Sequence, residues 1–579
     1  MCGILFELSS SDIDKKKFND SLNLLNHRGP DAQNIEYRKS EFHRLAFGHT
    51  RLKIIDVDDS ANQPYVSECG NFILIFNGEI YNYKELRESL REKNYIFNTE
   101  SDTEVLLQAI ICYGYEVIEK LNGMWSFLCY NKITKEVCFS RDNYGKKPLL
   151  YYADNNRIIF ASEMKAILSL VDSRPEFRMD HFHRFLSGGV INVTEKHESI
   201  YKGIYNVIPG SIGCISIKNQ TMKISHRKNK NDFFRVQEKK HPVQNLREDL
   251  MSSVSYRLQS DREVGIFISG GVDSSVVAAC ASLLQKKDIM YFTGDTGGGY
   301  NNNDLKYSLM LAKSIGVDCV TFDCSPENHD IFQINEEMTR QYDMPVSFMG
   351  NAIACYLMYK QASDMGIRVV LDGTGGDEIF GGYYNLFFEK LVQELLNKRK
   401  FLTLYRVIKY CAKEMPVKFI YETVKKNAHI AFVGKKDFDF LTDYQKYAAQ
   451  YSILPNWLFQ NDNNAMHFSI ENRSPLLDVN LAKYINMDVS KKFNGAFNKY
   501  FPRKAIPDIV PDEVRWRTQK QGFRFVPNNS FIQHKSHVMS IIKKSDLLKE
   551  LYQSNNVLEK VGDVPTNAYS IAKFEEMTM

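Results

Sequence analysis

From residue 1 to about 215 the chain shows short alternating or β-rich runs, among them Phe72 to Phe76, Trp125 to Tyr130 and Arg157 to Phe160. Gly, Asn and Asp turns separate them, a pattern that predicts a layered antiparallel sheet domain. Thr103 to Cys112 predicts a helix, with Ser101 or Asp102 available as its N-cap. The composition turns polar and basic around Ser216 to Lys240, so residues 216–241 read as an exposed linker between a domain at 2–215 and one at 242–530. In the second domain Val243, Leu246, Leu250, Val254 and Leu258 recur at helical spacing and lead into an apolar strand, Val264 to Ile268. Ile289 to Thr293, Val317 to Phe322 and Arg368 to Leu371 continue the alternation of strand and helix expected of a parallel α/β sheet. Residues 385–450 read as helical elaborations with a solvated basic face, and 531–579 as a C-terminal extension.

A length of 579 residues accommodates two large domains, and 44% apolar with 25% charged residues is ordinary for a globular chain. The net charge of +4 is too small over this length to suggest nucleic acid, which leaves small molecules as the expected partners. The longest apolar run, Ala352 to Tyr359, has eight residues and cannot cross a bilayer. With no basic segment before the first apolar stretch, the expected location is the cytoplasm. Eleven scattered cysteines without a C-x-x-C pair argue against a disulfide framework and against a zinc site.

The candidate chemistry lies at strand ends. The strand ending at Ile268 empties into Ser269-Gly-Gly-Val-Asp-Ser-Ser275, where glycines admit a close ligand, hydroxyls and amides can cradle phosphate oxygens, and Asp273 can hold Mg²⁺. The loop lacks the lysine of a G-x-x-x-x-G-K-[ST] motif, so it is not built like that of a kinase. A second strand empties into Asp372-Gly-Thr-Gly-Gly-Asp-Glu378, and Asp273 and Asp377 could share a metal if the two loops face one site.

These two loops resemble the synthetase domain of the glutamine-hydrolysing asparagine synthetases, members of the N-type ATP pyrophosphatases. Met1-Cys2-Gly3-Ile4, His27-Arg-Gly-Pro-Asp31, Gly48-His-Thr-Arg-Leu52, Asn77-Gly-Glu-Ile-Tyr-Asn82, Ser101-Asp-Thr-Glu104, Gly145-Lys-Lys-Pro148 and Phe160-Ala-Ser-Glu163 resemble that family's glutaminase domain in the same order. The resemblance implies an N-terminal antiparallel αββα layer sandwich and a C-terminal α/β ATP-pyrophosphatase domain with helical elaborations. It implies that Cys2 is the nucleophile, its α-amino group exposed by removal of Met1 and serving as base. Asn77 and Gly78 would form the oxyanion hole, Arg51 would hold the glutamine carboxylate, and Glu79 with Asp102 would receive its amino end. ATP and pyrophosphate would meet Ile268, Ser269, Gly270, Gly271, Asp273, Ser274 and Ser275, together with Gly294, Asp372, Gly373 and Lys520. Lys499 and Arg503 also resemble phosphate-neutralising cations, whereas His27 and His49 read as structural.

The implied substrates are glutamine, ATP with Mg²⁺ as cofactor, and a carboxylate acceptor that the resemblance gives as aspartate. The acceptor would become an acyl adenylate with loss of pyrophosphate, and ammonia from the first site would then reach it through an internal tunnel. A homodimer is compatible with this reading. One position departs: the family typically reads G-E-G-[SA]-D-E, and Thr374 stands where the acid would be. A threonine cannot act as a base near neutral pH, which leaves Asp372 and Glu378 as the nearest carboxylates. It also keeps open an amidotransferase of another carboxylate, such as a uronic-acid sugar of a surface polysaccharide. A third alternative is a non-catalytic glutamine-binding regulatory protein, against which the intact Cys2, Arg51, Asn77, Asp102, Asp273 and Asp377 count.

Overall fold

The structure is a computed structural model that describes residues 2–578 except 189–196, 218–222, 229–242, 285–288, 298–303, 349–350, 414, 434–438, 496, 519–527 and 562–564. Two six-stranded antiparallel sheets form the first domain. One runs β10 (Ile204–Asn206), β8 (Leu150–Ala153), β9 (Arg157–Ala161), β1 (Gly3–Ser9), β3 (Arg44–Arg51), β2 (Ala32–Lys39). The other runs β12 (Lys223–Lys228), β11 (Ser211–Ser216), β7 (Glu136–Arg141), β6 (Gly123–Asn131), β5 (Phe72–Ile80), β4 (Tyr65–Val66).

The period-two alternation explains the layering. Ile4, Phe6 and Leu8 of β1 and Ile73 and Ile75 of β5 meet between the sheets. Leu5 turns outward to Phe18, Leu22 and Ile167 of helices on one side, and Leu74 and Phe76 to Val105 and Leu106 on the other. The result is the expected αββα sandwich. Strand β12 pairs with β11, so part of the stretch read as linker belongs to this sheet. The second correction concerns cysteine: Cys138 and Cys214 face each other across β7 and β11, with Cα atoms 4.0 Å apart, and are joined as a disulfide. Two partners 76 residues apart on neighbouring strands leave no spacing signature in the chain.

The second domain carries an all-parallel sheet ordered β15 (Cys319–Asp323), β14 (Ile289–Asp295), β13 (Val264–Phe267), β16 (Val369–Leu371), β17 (Glu471–Arg473). From β13 the chain builds outward first to β14 and β15, then returns to the other side for β16 and β17. That reversal opens a crevice at the carboxyl ends of β13 and β16, the usual ligand position in such sheets. The C-terminal segment is not an appendage: Phe531, Val538, Leu548, Tyr569 and Phe574 join the core shared by both domains, and Phe574 packs 5.6 Å from Phe177. Among the described residues no helix is long and apolar enough to cross a membrane.

Candidate active sites

The first site is built where β1, β3 and β5 converge. The Cys2 N–H donates to Asn77 Oδ1 at 3.1 Å, so strand register aligns the thiol residue with the Asn77 amide. Asn77 Nδ2 is then a buried donor with no hydrogen-bond partner among the described residues. An orphaned donor in a dry pocket is costly unless something arrives to accept from it. Gly78 follows on β5, and Glu79 shares the face of Asn77 with its Oε2 likewise unpartnered. Asp102 opens the helix Asp102–Tyr113, whose N-cap is Ser101, and its Oδ2 accepts from the Ile80 N–H at 2.8 Å. Arg51, at the end of β3, donates to the Asp58 carbonyl at 2.7 Å, to Asn62 Oδ1 at 2.8 Å and to the Asp56 carbonyl, which fixes its guanidinium plane.

Electrostatics at this site are set by burial. Burial pushes the Cys2 thiol up, opposed by a backbone N–H at Leu52 and by Arg51. Asp102 is pushed up to about 7 by burial, partly offset by the Ile80 N–H, with Glu471 raising it further. Glu79 rises well above the carboxylate range through burial, then through Glu471 and Asp102. Glu471 and its neighbour two residues on, Arg473, come from β17 of the other domain. Arg473 holds Glu471 at 2.5 Å and reaches Glu79 at 3.7 Å. His49 Nε2 donates to the Phe76 carbonyl at 3.1 Å, and burial lowers the ring to about 3, in keeping with a structural role.

The second site lies in the crevice between β13 and β16. Its cavity of about 340 Å³ is lined by Ser269, Asp273 and Ser274 from one loop and by Asp372 to Gly375, Asp377 and Glu378 from the other, with Tyr359, Tyr383, Trp457 and Asn461 closing it. Asp273 and Asp377 do converge: Lys499 Nζ bonds both, at 2.6 Å to Asp377. Burial alone would depress Lys499, but the two carboxylates outweigh it and hold it above its ordinary value. Two glycines keep the cradle open. A Cβ on Gly376 would lie 2.3 Å from Asp273 Oδ1, and Gly270 adopts a φ of +63° beside the Asp304 carbonyl. A carboxylate pair already gathered around one cation, beside a backbone cradle, fits the donor set of a phosphate-bound divalent ion.

Not every expected residue reaches the cavity. Ser275 turns inward and donates to the Gly271 carbonyl at 2.8 Å, while Ile268, just past β13, donates its N–H to the Phe292 carbonyl at 2.8 Å and Gly294 lies within β14. Arg503 is spent on the carbonyls of Asn498 and Arg515. Lys520 lies outside the described residues. Thr374 donates to Asp372 Oδ2 at 2.8 Å and accepts from Asn461 Nδ2 at 2.9 Å. Asp372 also accepts from Asn461 at 3.1 Å, Asn472 at 3.0 Å and Ser474 at 2.8 Å, which leaves its lone pairs used within the protein. Glu378 accepts from the Tyr383 hydroxyl at 3.0 Å and is pushed up to about 8 by burial and then by Asp377.

Several residues that join the two sites were given no role from the sequence, although Arg28 and Glu163 stand in two of the motifs that carry the resemblance. Arg28 is fully buried; its Nε donates to the Cys2 carbonyl at 3.2 Å, and its other nitrogens reach Glu163 at 2.7 Å and Asp462 at 2.8 Å. Asp462 is the neighbour of Asn461 on the helix Ile453–His467, so one ion pair and one peptide separate the Cys2 carbonyl from the hydroxyl of Thr374. Arg517 donates to the Gly270 carbonyl at 3.1 Å and pairs with Asp304 behind the phosphate loop.

Comparison with known proteins matches residues 1–228 to a glutamine amidotransferase domain and residues 245–575 to asparagine synthase. The chain is 31% identical over 565 residues to asparagine synthetase [glutamine-hydrolyzing] 1 of Bacillus subtilis, covering 90% of this chain and 85% of that one. It is 29% identical over 406 residues to a putative asparagine synthetase of Methanocaldococcus jannaschii, covering 66% and 76%. It is 25% identical over 567 residues to amidase chry2 of Gibberella zeae, covering 85% and 83%.

Proposed function

The chain belongs to the asparagine synthase family and is a glutamine-hydrolysing amidotransferase ligase, and from that premise we propose that it converts aspartate to asparagine through an acyl adenylate. The observation that carries the synthetase half is the convergence of Asp273 and Asp377 on Lys499 at the crevice between β13 and β16. Asp273 and Asp377 are the residues that would hold Mg²⁺, which supplies neutralising charge to the polyphosphate when bound. Lys499 then has phosphate oxygens as alternative partners, and the loop Ser269 to Ser274 receives the pyrophosphate. The acceptor carboxylate attacks the α-phosphorus, and pyrophosphate leaves.

In the first half-reaction the Cys2 thiol attacks the side-chain amide of glutamine, and the α-amino group of Cys2, freed by loss of Met1, accepts the thiol proton. Asn77 Oδ1, which already accepts from that nitrogen, orients it, while Asn77 Nδ2 and the Gly78 N–H stabilise the oxyanion. Arg51 takes the glutamine carboxylate, and Glu79 with Asp102 take its ammonium. The tetrahedral adduct collapses to a thioester as its C–N bond breaks, the α-ammonium of Cys2 returning its proton to the departing ammonia; water then hydrolyses the thioester to glutamate, and ammonia crosses the domain interface to the adenylate, where it displaces AMP. A closed passage matters because ammonia released into neutral water is protonated and no longer a nucleophile.

Two observations favour a second reading, an acceptor bulkier than aspartate, such as a uronic-acid sugar. Thr374 places a neutral hydroxyl in the cavity where the family carries an acid, and Tyr359, Tyr383 and Trp457 offer aromatic faces beside it. Purified protein with glutamine, ATP and a panel of carboxylates decides between them. Glutamate, AMP and pyrophosphate formed in equal amounts only when aspartate is present supports the first reading; the same products with a uronic acid alone supports the second. ADP and phosphate as products would overturn both.

A further inference from the structure

Twenty large hydrophobic side chains are exposed among the described residues, and seven of them fall within residues 401–432: Phe401, Leu402, Tyr405, Val417, Phe419, Tyr421 and Phe432. The concentration is not a failure of packing. The helices Phe401–Cys411 and Val417–Asn427 bury Leu404, Val407, Cys411 and Ile420 in a core they share with the helix Tyr384–Asn397. Their outer faces carry Leu402, Tyr405, Val417 and Tyr421, at 62–67% exposure, and Phe432 beyond them is 86% exposed.

The same stretch is basic. Residues 398–433 contain nine Lys or Arg against two Glu, a net +7 in a chain whose total is +4. Some of these cations are engaged: Lys398 with Glu394 and Asp439, Lys400 with Asp488, and Lys426 with Glu389. Arg399, Arg406, Lys409, Lys413 and Lys425 have no ion-pair partner among the described residues. Lys409 lies one turn from Tyr405 on the same outer face, and Lys413 is exposed just past the end of the helix.

Exposed aromatic and aliphatic side chains interleaved with unpaired cations are what an interfacial surface requires, and we propose that this face docks the protein peripherally on an anionic lipid bilayer. Charge selects this occupant. A second copy presenting the same face would bring two net-positive surfaces together, and a nucleic-acid backbone offers nothing to Leu402, Val417 or Phe432. An anionic bilayer supplies both halves at once, with headgroup charge for the lysines and an acyl boundary for the apolar side chains. Two weak signals acting together give reversible attachment without a spanning segment, in keeping with the lack of any membrane-crossing helix among the described residues. The floor of the face, helix Tyr384–Asn397, starts directly after Tyr383 of the second cavity, so about 21 Å of helix separates the acceptor site from its far end.

The test is co-sedimentation of the full chain with vesicles of phosphatidylcholine alone and of phosphatidylcholine with one third phosphatidylglycerol, at low and high salt. Binding is expected only to the anionic vesicles and is expected to weaken with salt. Lys409→Gln is expected to lower the partition about fivefold, and Leu402→Ser with Tyr405→Ser about tenfold or more. These side chains are exposed, so the melting temperature and glutamine hydrolysis in solution serve as controls and stay unchanged. Absence of binding, equal binding to neutral vesicles, indifference to these substitutions, or a preference for a duplex oligonucleotide or an acidic protein at the same ionic strength would each overturn the proposal.

Discussion

The two sites solve the same problem, stabilising charge in a buried place, in opposite ways. The first draws its expected glutamine-handling residues from 2–102 of one domain, with Glu471 and Arg473 of the other behind them, and leaves Asn77 Nδ2 and Glu79 Oε2 without a partner among the described residues. The second draws on residues as distant as Asp273 and Lys499 and satisfies itself, Lys499 closing on both carboxylates and Asp372 wrapped in hydrogen bonds. A site with orphaned donors is complementary to a ligand before it arrives. One held by internal ion pairs must exchange partners when phosphates enter, so its charges serve stability and binding together.

The largest effect expected is at Cys2. Cys2→Ala should lower glutamine-dependent synthesis about 10³-fold or more, while synthesis from an added ammonium salt continues, because nothing in the second cavity depends on the thiol. A chain that retains Met1 should behave similarly, since its first amine is no longer that of Cys2. Parallel loss of both activities in Cys2→Ala would dissolve the distinction between the sites.

The next effect belongs to the self-satisfied site. Asp273→Asn or Asp377→Asn should depress AMP and pyrophosphate formation by about 10²- to 10³-fold and spare glutamine hydrolysis. Lys499→Met should do the same and, by removing the cation that bridges the buried Asp273 and the half-buried Asp377, should also lower stability to denaturant by about 1–3 kcal/mol. If the unfolding midpoint does not move, Lys499 is not the cation that holds the crevice together.

A smaller effect is a pH dependence at the first site. Asp102 sits at about 7, above the ordinary carboxylate value, so it is largely neutral below that pH and cannot balance the ammonium of glutamine. The KM for glutamine is therefore expected to fall as pH rises through about 7, and Asp102→Asn should raise KM while flattening that limb. An unchanged pH profile of KM in Asp102→Asn would remove Asp102 from the binding of glutamine.

The same contrast governs how much of the molecule was legible in the sequence. Period-two strands, the capped helix at Asp102 and the loops after β13 and β16 are local patterns, and a sheet domain followed by an α/β domain could be read from them; the roles expected of Cys2, Arg51, Asn77 and Asp102 came instead from the family resemblance. The residues between the sites could not. Arg28 and Glu163 stand in two quoted motifs, but they meet Asp462 only because three distant segments fold against one another, and no local pattern announces that pairing. Strand β12 was hidden by its polar, basic composition, which suits a sheet edge as well as a linker. Lys499 stood out through the resemblance as a phosphate-neutralising cation, but its place between Asp273 and Asp377 could not be read from positions more than a hundred residues apart.

The smallest expected effect tests the departure at Thr374. Its hydroxyl donates to Asp372 and accepts from Asn461, so it occupies a neutral link in a network that ties the acceptor cavity through Asp462 to Arg28 and the Cys2 carbonyl. Thr374→Glu would put a carboxylate beside Asp372, and Asn461 could still donate to it. If aspartate is the acceptor and the reaction lacks a well-placed base, asparagine formation should rise about three- to tenfold, a modest share of what general-base catalysis can contribute. The gain is limited because the new charge lies against the Asp372 carboxylate and raises the cost of ionising both. A fall in amide formation, with glutamine hydrolysis unchanged, would instead show that the hydroxyl contacts the acceptor itself, which favours the bulkier carboxylate and makes the threonine a residue of specificity.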